Sequence, residues 1–241
     1  MNHRDLDNIY VHQTEQYGLG NFINLTPTMQ LLANHLKRPV PVYFDLKFIR
    51  DCFTDCPFME ILEEEPDYNP LFTSGLVNFK NDCPDWLHVY KEVTKSIPLT
   101  GKIPHTYIDT AKEMDAPKVN TLFIRGSGNE NKWYLASKMP SDSYYIEHFA
   151  DNLSGEYSEA FTGSENDISR ANGLFDRMIR YIGGVRLALA LIREADYIVA
   201  NDSGLAHAAG AMNKRMTVLW VNTSLPKNGN PGKHTNIKLC Q

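Results

Sequence analysis

Asn8-Ile9-Tyr10-Val11-His12 is a short β-prone run and predicts a first strand. A glycine-containing loop, Glu15-Gln16-Tyr17-Gly18-Leu19-Gly20-Asn21, follows it. Phe22, Ile23, Leu25, Met29, Leu31, Leu32 and Leu36 then recur at helical spacing. Pro27 reads as sitting early in that helix, where its missing N–H costs little. Val40–Phe44 carries no charge and predicts a second strand buried on both faces, so the opening is a β-α-β unit.

The pattern weakens over residues 45–116. An acidic run spans Glu60–Asp67, prolines stand at 57, 66, 70, 84, 98 and 104, and only Trp86–Ile97 has a convincing amphipathic period, which predicts a short helix. Pro98–Pro117 is expected to combine a strand near Ile103–Ile108 with the crossing between two domains. A second α/β pattern then starts, with strands expected at Val119–Ile124, Tyr144–Phe149, Glu159–Thr162, Tyr197–Ala200 and Met216–Val221. Helices are expected at Lys132–Lys138, Leu187–Glu194 and Leu205–Met212, and the tail from Asn222 reads as loop. The expected fold class is α/β with two Rossmann-like domains, residues 1–114 and 115–241.

Composition narrows the function classes. The chain of 241 residues is 42% hydrophobic and 22% charged, which suits two domains with real cores and excludes a disordered or fibrous protein. Its longest apolar-rich stretches, Val40–Phe44 and Thr217–Val221, fall far short of the ~20 residues of a membrane helix, and Met1–Asp5 leads into no hydrophobic signal region, so the expected location is cytoplasmic. Cys52, Cys56, Cys83 and Cys240 fit neither a disulfide framework nor a zinc spacing and are read as free thiols. The net charge of −5 argues against coating nucleic acid by bulk electrostatics. It is unevenly spread: residues 1–116 hold 10 basic and 17 acidic side chains, against 14 and 12 in 117–241, which makes the second half the better phosphate binder.

Candidate chemistry sits at the ends of the expected strands. Asn201-Asp202-Ser203-Gly204-Leu205-Ala206-His207 joins a strand to a helix whose first amides are free to meet an anion. Gly204 allows close approach, Ser203 can cap the helix or contact an anion, Asp202 can accept from sugar hydroxyls, and His207 lies one turn into the helix. The plainer alternative is that Asp202 and Ser203 only cap the helix and His207 packs in the core. Gly18-Leu19-Gly20-Asn21 permits a tight turn before a helix, but lacks the third glycine and downstream acid of a dinucleotide fingerprint and is no P-loop. Arg125-Gly126-Ser127-Gly128 with Lys132, and Thr162-Gly163-Ser164-Glu165, place small residues, a cation and a carboxylate after two further strands. Lys132 can neutralise a diphosphate and Glu165 can grip a ribose diol, although each alone suits a solvated loop. The run Glu63-Glu64-Glu65 reads as a solvated face, the eight histidines lack metal-ligand spacing, and no metal is assigned. Ser203 has no nucleophile-elbow context, which argues against a hydrolase.

In this order the blocks Gly18–Pro27, Lys132-Trp133, Thr162–Glu165 and Ala195–Ala211 resemble glycosyltransferase family 9, the heptosyltransferase-like enzymes, of which this would be a short and divergent member. The resemblance covers roughly residues 8–45 and 117–222. It implies two Rossmann-like domains across a cleft (the GT-B fold), a nucleotide diphosphate sugar as donor substrate, inverting transfer to an acceptor hydroxyl, and no metal or other cofactor. Carried over residue by residue, Lys132 resembles the lysine on the donor phosphates and Glu165 falls at a ribose ligand. Asp202, Ser203, Gly204 and His207 match the donor sugar and diphosphate loop, joined by Ser127 and Ser164 on neighbouring loops. Gly18 and Gly20 match the acceptor-side loop. Asn21 stands where the family has an aspartate, the candidate general base, and an amide cannot take a proton near pH 7. Glu15 and Asp45, on nearby strand-end loops, are the candidates to replace it. The acceptor is expected to be a glycan, alternatively a hydroxylated base of viral DNA, although the acidic first half speaks against DNA. A catalytically inactive nucleotide-sugar-binding module is the reading from another class, with Asn21 its main support.

Overall fold

A computed structural model describes residues 8–15, 18–73, 90–91, 93–95, 97–124, 144, 159–163, 179–221 and 235–238. The chain divides into two units, Met1–Asp109 and Thr110–Gln241, each built on its own parallel sheet.

The N-terminal unit opens with β1 (Val11–Gln13), α1 (Leu19–Leu36) and β2 (Val40–Phe44), the β-α-β unit expected from the apolar pattern. A short α2 (Lys47–Arg50), β3 (Met59–Leu62) and β4 (Phe72–Thr73) complete the described elements. The sheet order is β3-β2-β1-β4, all parallel, so the chain winds outward from β1 on one side and then returns to its other side. Phe22, Ile23, Leu25 and Leu32 of α1 are buried to 4% exposure or less and pack the helix onto the sheet. Phe22 meets both Phe44 and Phe53 edge-on, with ring centroids 4.9 and 5.1 Å away.

Pro27 lies in the interior of α1, not near its start as its sequence context suggested. A proline there leaves the carbonyl four residues back, that of Ile23, without its helical donor. The buried Thr26 hydroxyl supplies the donor, bonding Ile23 O at 2.7 Å, and its oxygen also accepts from Tyr107 N at 2.7 Å. One side chain therefore repairs the helix and ties down the segment that ends the unit. That segment carries no strand: residues 102–111 are irregular, contrary to the expected strand near Ile103–Ile108. Buried Asp109 fixes it instead, accepting from Thr54 Oγ1 (3.1 Å), Asp55 N (2.9 Å) and Tyr107 Oη (3.0 Å). Of the helix expected at Trp86–Ile97, Tyr90, Lys91, Val93 and Thr94 are described and helical. Cys52 and Cys56 are buried free thiols.

The C-terminal unit contains β5 (Val119–Ile124), β6 (Glu159–Gly163), β7 (Ile179–Ile182), α3 (Val185–Glu194), β8 (Ala195–Asn201), α4 (Gly204–Ala211), β9 (Met216–Trp220) and β10 (Thr235–Lys238). Its sheet runs β10-β9-β8-β5-β6-β7, all parallel, which is the doubly wound order 6-5-4-1-2-3 counted within the unit. β9 is buried along its whole length and β8 over its last four residues, the signature of strands covered on both faces. Two expectations fail here. The tail after Asn222 is not all loop, because β10 pairs with β9 from Thr235↔Thr217 to Lys238↔Trp220, and Tyr144 is helical instead of starting a strand. The helix expected at Lys132–Lys138 lies outside the described residues.

At the turn from β7 into α3, a Cβ on Gly183 would stand 2.5 Å from Leu187 Cδ2, so a larger residue there would make that side chain move. At the other end of α3, Arg193 donates to the carbonyls of Thr110 (3.2 Å), Ala111 (2.5 Å) and Met114 (2.9 Å) and so fastens the start of the unit. Lys214 Nζ donates to Arg193 O at 2.8 Å, satisfying a carbonyl that a helix end leaves unpaired.

Candidate functional site

In a doubly wound sheet, ligands bind beyond the C-terminal ends of the strands where the winding reverses. In the C-terminal unit that point lies between β5 and β8, which pair from Val119↔Ala195 to Ile124↔Ala200. β8 ends at Asn201, and Asp202-Ser203 turns directly into α4. Ser203 is the N-cap, extended at φ −154° and ψ 164°, and its Oγ accepts from Ala206 N at 3.3 Å. The hydroxyl therefore performs the capping role, and the first-turn amides of Gly204 and Leu205 remain outside the helical hydrogen-bond ladder. No acidic side chain lies in that turn to compete for an anion.

Asp202 and His207 are buried, at 4% and 5% exposure. His207 Nε2 stands 3.8 Å from Asp202 Oδ1, within ion-pair range but beyond a hydrogen bond. His207 Nδ1 is fully buried with no hydrogen-bond partner among the described residues. Buried polar atoms are nearly always paired, so an unpaired ring nitrogen one turn above a helix N-terminus calls for a partner such as a hydroxyl or phosphate oxygen. Asn201, fully buried, was not singled out by sequence, and its Nδ2 donates to Asp202 O at 3.4 Å. Ser127, Lys132, Ser164 and Glu165 lie outside the described residues. The strands that lead to them are in place: β5 stops at Ile124, and β6 at Gly163, directly before Ser164.

The N-terminal unit repeats the arrangement at the reversal between β1 and β4. α1 begins after Gly18, which is exposed, extended (φ −69°, ψ 167°) and offers no side-chain cap. Gly20 is buried in the first turn and Asn21 is half-buried beside it, with no acidic residue in that turn. The register Val11↔Val42, His12↔Tyr43, Gln13↔Phe44 brings Asp45, the residue after β2, against the loop after β1. Asp45 Oδ2 accepts from Glu15 N at 3.0 Å, and Oδ1 lies 2.8 Å from His12 Nε2. Glu15 is exposed, and its own carboxylate makes no hydrogen bond among the described residues. The structure thus unites Glu15 and Asp45 at one strand end and fixes Asp45 more firmly.

Sequence reading missed the rest of this cluster. His12 Nδ1 faces Glu65 Oε1 at 3.2 Å, and the same oxygen accepts from Tyr10 Oη at 3.2 Å. Burial, reinforced by Glu65, pushes the Tyr10 hydroxyl up to about 12. The acidic run is accordingly more than a solvated face: Glu65 joins this cluster, and Glu63 pairs with Arg50 at 3.1 Å. Separations of 33 and 53 residues hide such contacts from any local pattern. Among the described residues no group of three His, Cys, Asp or Glu is placed to hold a metal ion, and no helix is long and apolar enough to cross a membrane.

Residues 184–240, which include α3, β8, the Asp202 loop, α4, β9 and β10, match the model of Glycosyltransferase family 9 (heptosyltransferase). No curated protein matches the sequence. Among solved structures, the family 9 glycosyl transferase from Veillonella parvula DSM 2008 is similar over 100% of this chain and 88% of its own, with a TM-score of 0.72 at 12% identity. The E. coli ADP-heptose LPS heptosyltransferase II gives 0.71 at 15% identity over 96% and 91% of the two chains. E. coli heptosyltransferase WaaC, solved with ADP, gives 0.60 at 11% over 95% and 91%. The fold is therefore that of the GT-B glycosyltransferases. Within that fold, the stretch through the Asp202 loop, residues 184–240, resembles glycosyltransferase family 9.

Proposed function

We propose that the protein transfers a sugar from a nucleoside diphosphate sugar to an acceptor hydroxyl, with the donor held by the C-terminal unit. The observation that carries this reading is the Asp202-Ser203-Gly204 turn at the reversal of the sheet, with the unpaired Nδ1 of buried His207 one turn above it. A diphosphate suits the free amides and positive end of α4. Asp202 can accept from sugar hydroxyls, and His207 Nδ1 can bond an oxygen of the same ligand. Lys132 is assigned to the diphosphate, Glu165 to the ribose, and Ser127 and Ser164 to the flanking loops.

In the proposed step the acceptor oxygen bonds to the anomeric carbon while the bond from that carbon to the phosphate oxygen breaks. The electron pair leaves with the diphosphate and configuration inverts. Lys132 and the α4 amides meet the charge that grows on the leaving group, electrostatic preorganisation that requires no metal. On the acceptor side, Gly18 and Gly20 admit the substrate to the start of α1, and Asn21 contributes hydrogen bonds but no base. Asp45 takes the hydroxyl proton, since its carboxylate is fixed at the strand end by two contacts. Glu15 is the second candidate. ADP is the first nucleotide to test, because two of the E. coli proteins of the same fold are described with ADP or ADP-heptose.

The test is a thermal-shift series with ADP, UDP, GDP and CDP, followed by assay of nucleoside diphosphate release from the matching sugar. A ligand that binds only the native state raises its stability by RT ln(1 + [L]/Kd). A shift with one nucleotide that disappears in Asp202→Ala supports the reading. No shift with any of them overturns it.

A further inference from the structure

Resting on the assignment of Asp45 as the acceptor-side base, we propose that His12 is its positioning residue. Three observations carry this. First, Asp45 is gripped at both oxygens, by His12 Nε2 at 2.8 Å and by Glu15 N at 3.0 Å, which leaves its remaining lone pairs in a defined direction. Second, His12 is itself immobilised. Its side chain is 16% exposed, its ring stacks on Tyr10 and meets Tyr43 edge-on at 5.4 Å, and its other nitrogen faces Glu65 Oε1 at 3.2 Å. Third, the cluster sits at the C-terminal ends of β1 and β2, beside the loop that leads into α1.

The groups that face the ring are Asp45 after β2, Glu65 between β3 and β4, Tyr10 directly before β1, and Tyr43 on β2. A ring nitrogen that donates to Asp45 Oδ1 while Glu15 N donates to Oδ2 holds the carboxylate in one orientation, so that its remaining lone pairs point one way. The imidazole acts through Asp45 and need not touch the substrate.

The experiment measures kcat and KM for ADP release from ADP-heptose, alongside the ADP-induced thermal shift, in wild type, His12→Gln, His12→Ala and Asp45→Asn. Asp45→Asn should lose about 100-fold or more in kcat, the scale of a lost general base, with the ADP shift intact. His12→Ala should lower kcat by about 10-fold with KM within about twofold, a smaller share of the same effect. His12→Gln keeps a donor, so it should recover much of that loss. If His12→Ala does not fold, His12→Phe, which keeps the ring packing and has no donor, decides in its place. An intact ADP shift with wild-type kcat in the variant that lacks the donor overturns the role of His12 and leaves the donor reading standing. Absence of any ADP shift and ADP release in wild type overturns the ADP-donor reading, and the role of His12 with it.

Discussion

Replacing Thr26 by valine removes one hydroxyl that makes two hydrogen bonds inside the N-terminal unit. The side chain is fully buried, donates to Ile23 O at 2.7 Å and accepts from Tyr107 N at 2.7 Å. Valine preserves the shape, so the loss is almost wholly polar. The Ile23 carbonyl cannot recover a helical donor because the residue four positions on is Pro27. Losing that bond costs about 0.5–1.5 kcal/mol, and stranding the Tyr107 N–H adds about 1–3, so the expected destabilisation is about 1.5–4.5 kcal/mol. Urea denaturation followed by far-UV circular dichroism measures it, as a lower midpoint at unchanged m-value. A second substitution sharpens the test. Pro27→Ala restores an N–H for Ile23 O, so in its background Thr26→Val should cost about 1 kcal/mol less, a coupling a double-mutant cycle resolves. A cost below about 0.5 kcal/mol for Thr26→Val, or strict additivity with Pro27→Ala, would refute the claim that this hydroxyl repairs the proline-interrupted helix.

Ser203→Ala should destabilise the C-terminal unit by about 1 kcal/mol through loss of the cap on Ala206 N, read as a lower Tm, and should weaken ADP binding far less than Asp202→Ala does. Arg193→Met keeps the alkyl packing but removes the side-chain donor to the carbonyls of Thr110, Ala111 and Met114, of which Ala111 O still accepts from Met114 N, and should cost about 2 kcal/mol in urea unfolding. Tyr10, raised to about 12 in the folded state against an ordinary value of 10.0, holds its proton longer when folded than when unfolded. Its contribution is therefore fully present below pH 10 and lost as pH rises towards 12, and Tyr10→Phe should show a shallower fall in stability over that window.

Much of the fold was legible because β2, β5, β8 and β9 are covered on both faces and so read as apolar runs between turn residues. α1 was equally plain from its period. The strands that escaped, β3, β4, β7 and β10, contain Met59-Glu60-Ile61-Leu62, Phe72-Thr73, Ile179-Arg180-Tyr181-Ile182 and Thr235-Asn236-Ile237-Lys238. All four stand at sheet edges, where polar and charged residues are tolerated and the apolar signal dilutes, and β4 is too short to show a period. Pro27 was misplaced because its compensation, the Thr26 hydroxyl, is a side-chain bond that no propensity records. At the candidate site, the Asp202–His207 turn could be read locally since strand end, cap, glycine and histidine are contiguous. His12, Asp45 and Glu65 could not, because parallel pairing of β1 with β2 is what brings them together.

The most direct test of the central claim is the Kd for ADP of the wild-type protein and of Asp202→Ala and His207→Phe, measured by calorimetry at one ionic strength. A site at the turn between β8 and α4 predicts measurable binding by wild type, with loss of at least about tenfold in each variant, the scale of about 1.4 kcal/mol expected when a buried polar partner is removed. Equal affinity in all three would place the nucleotide elsewhere and contradict the account.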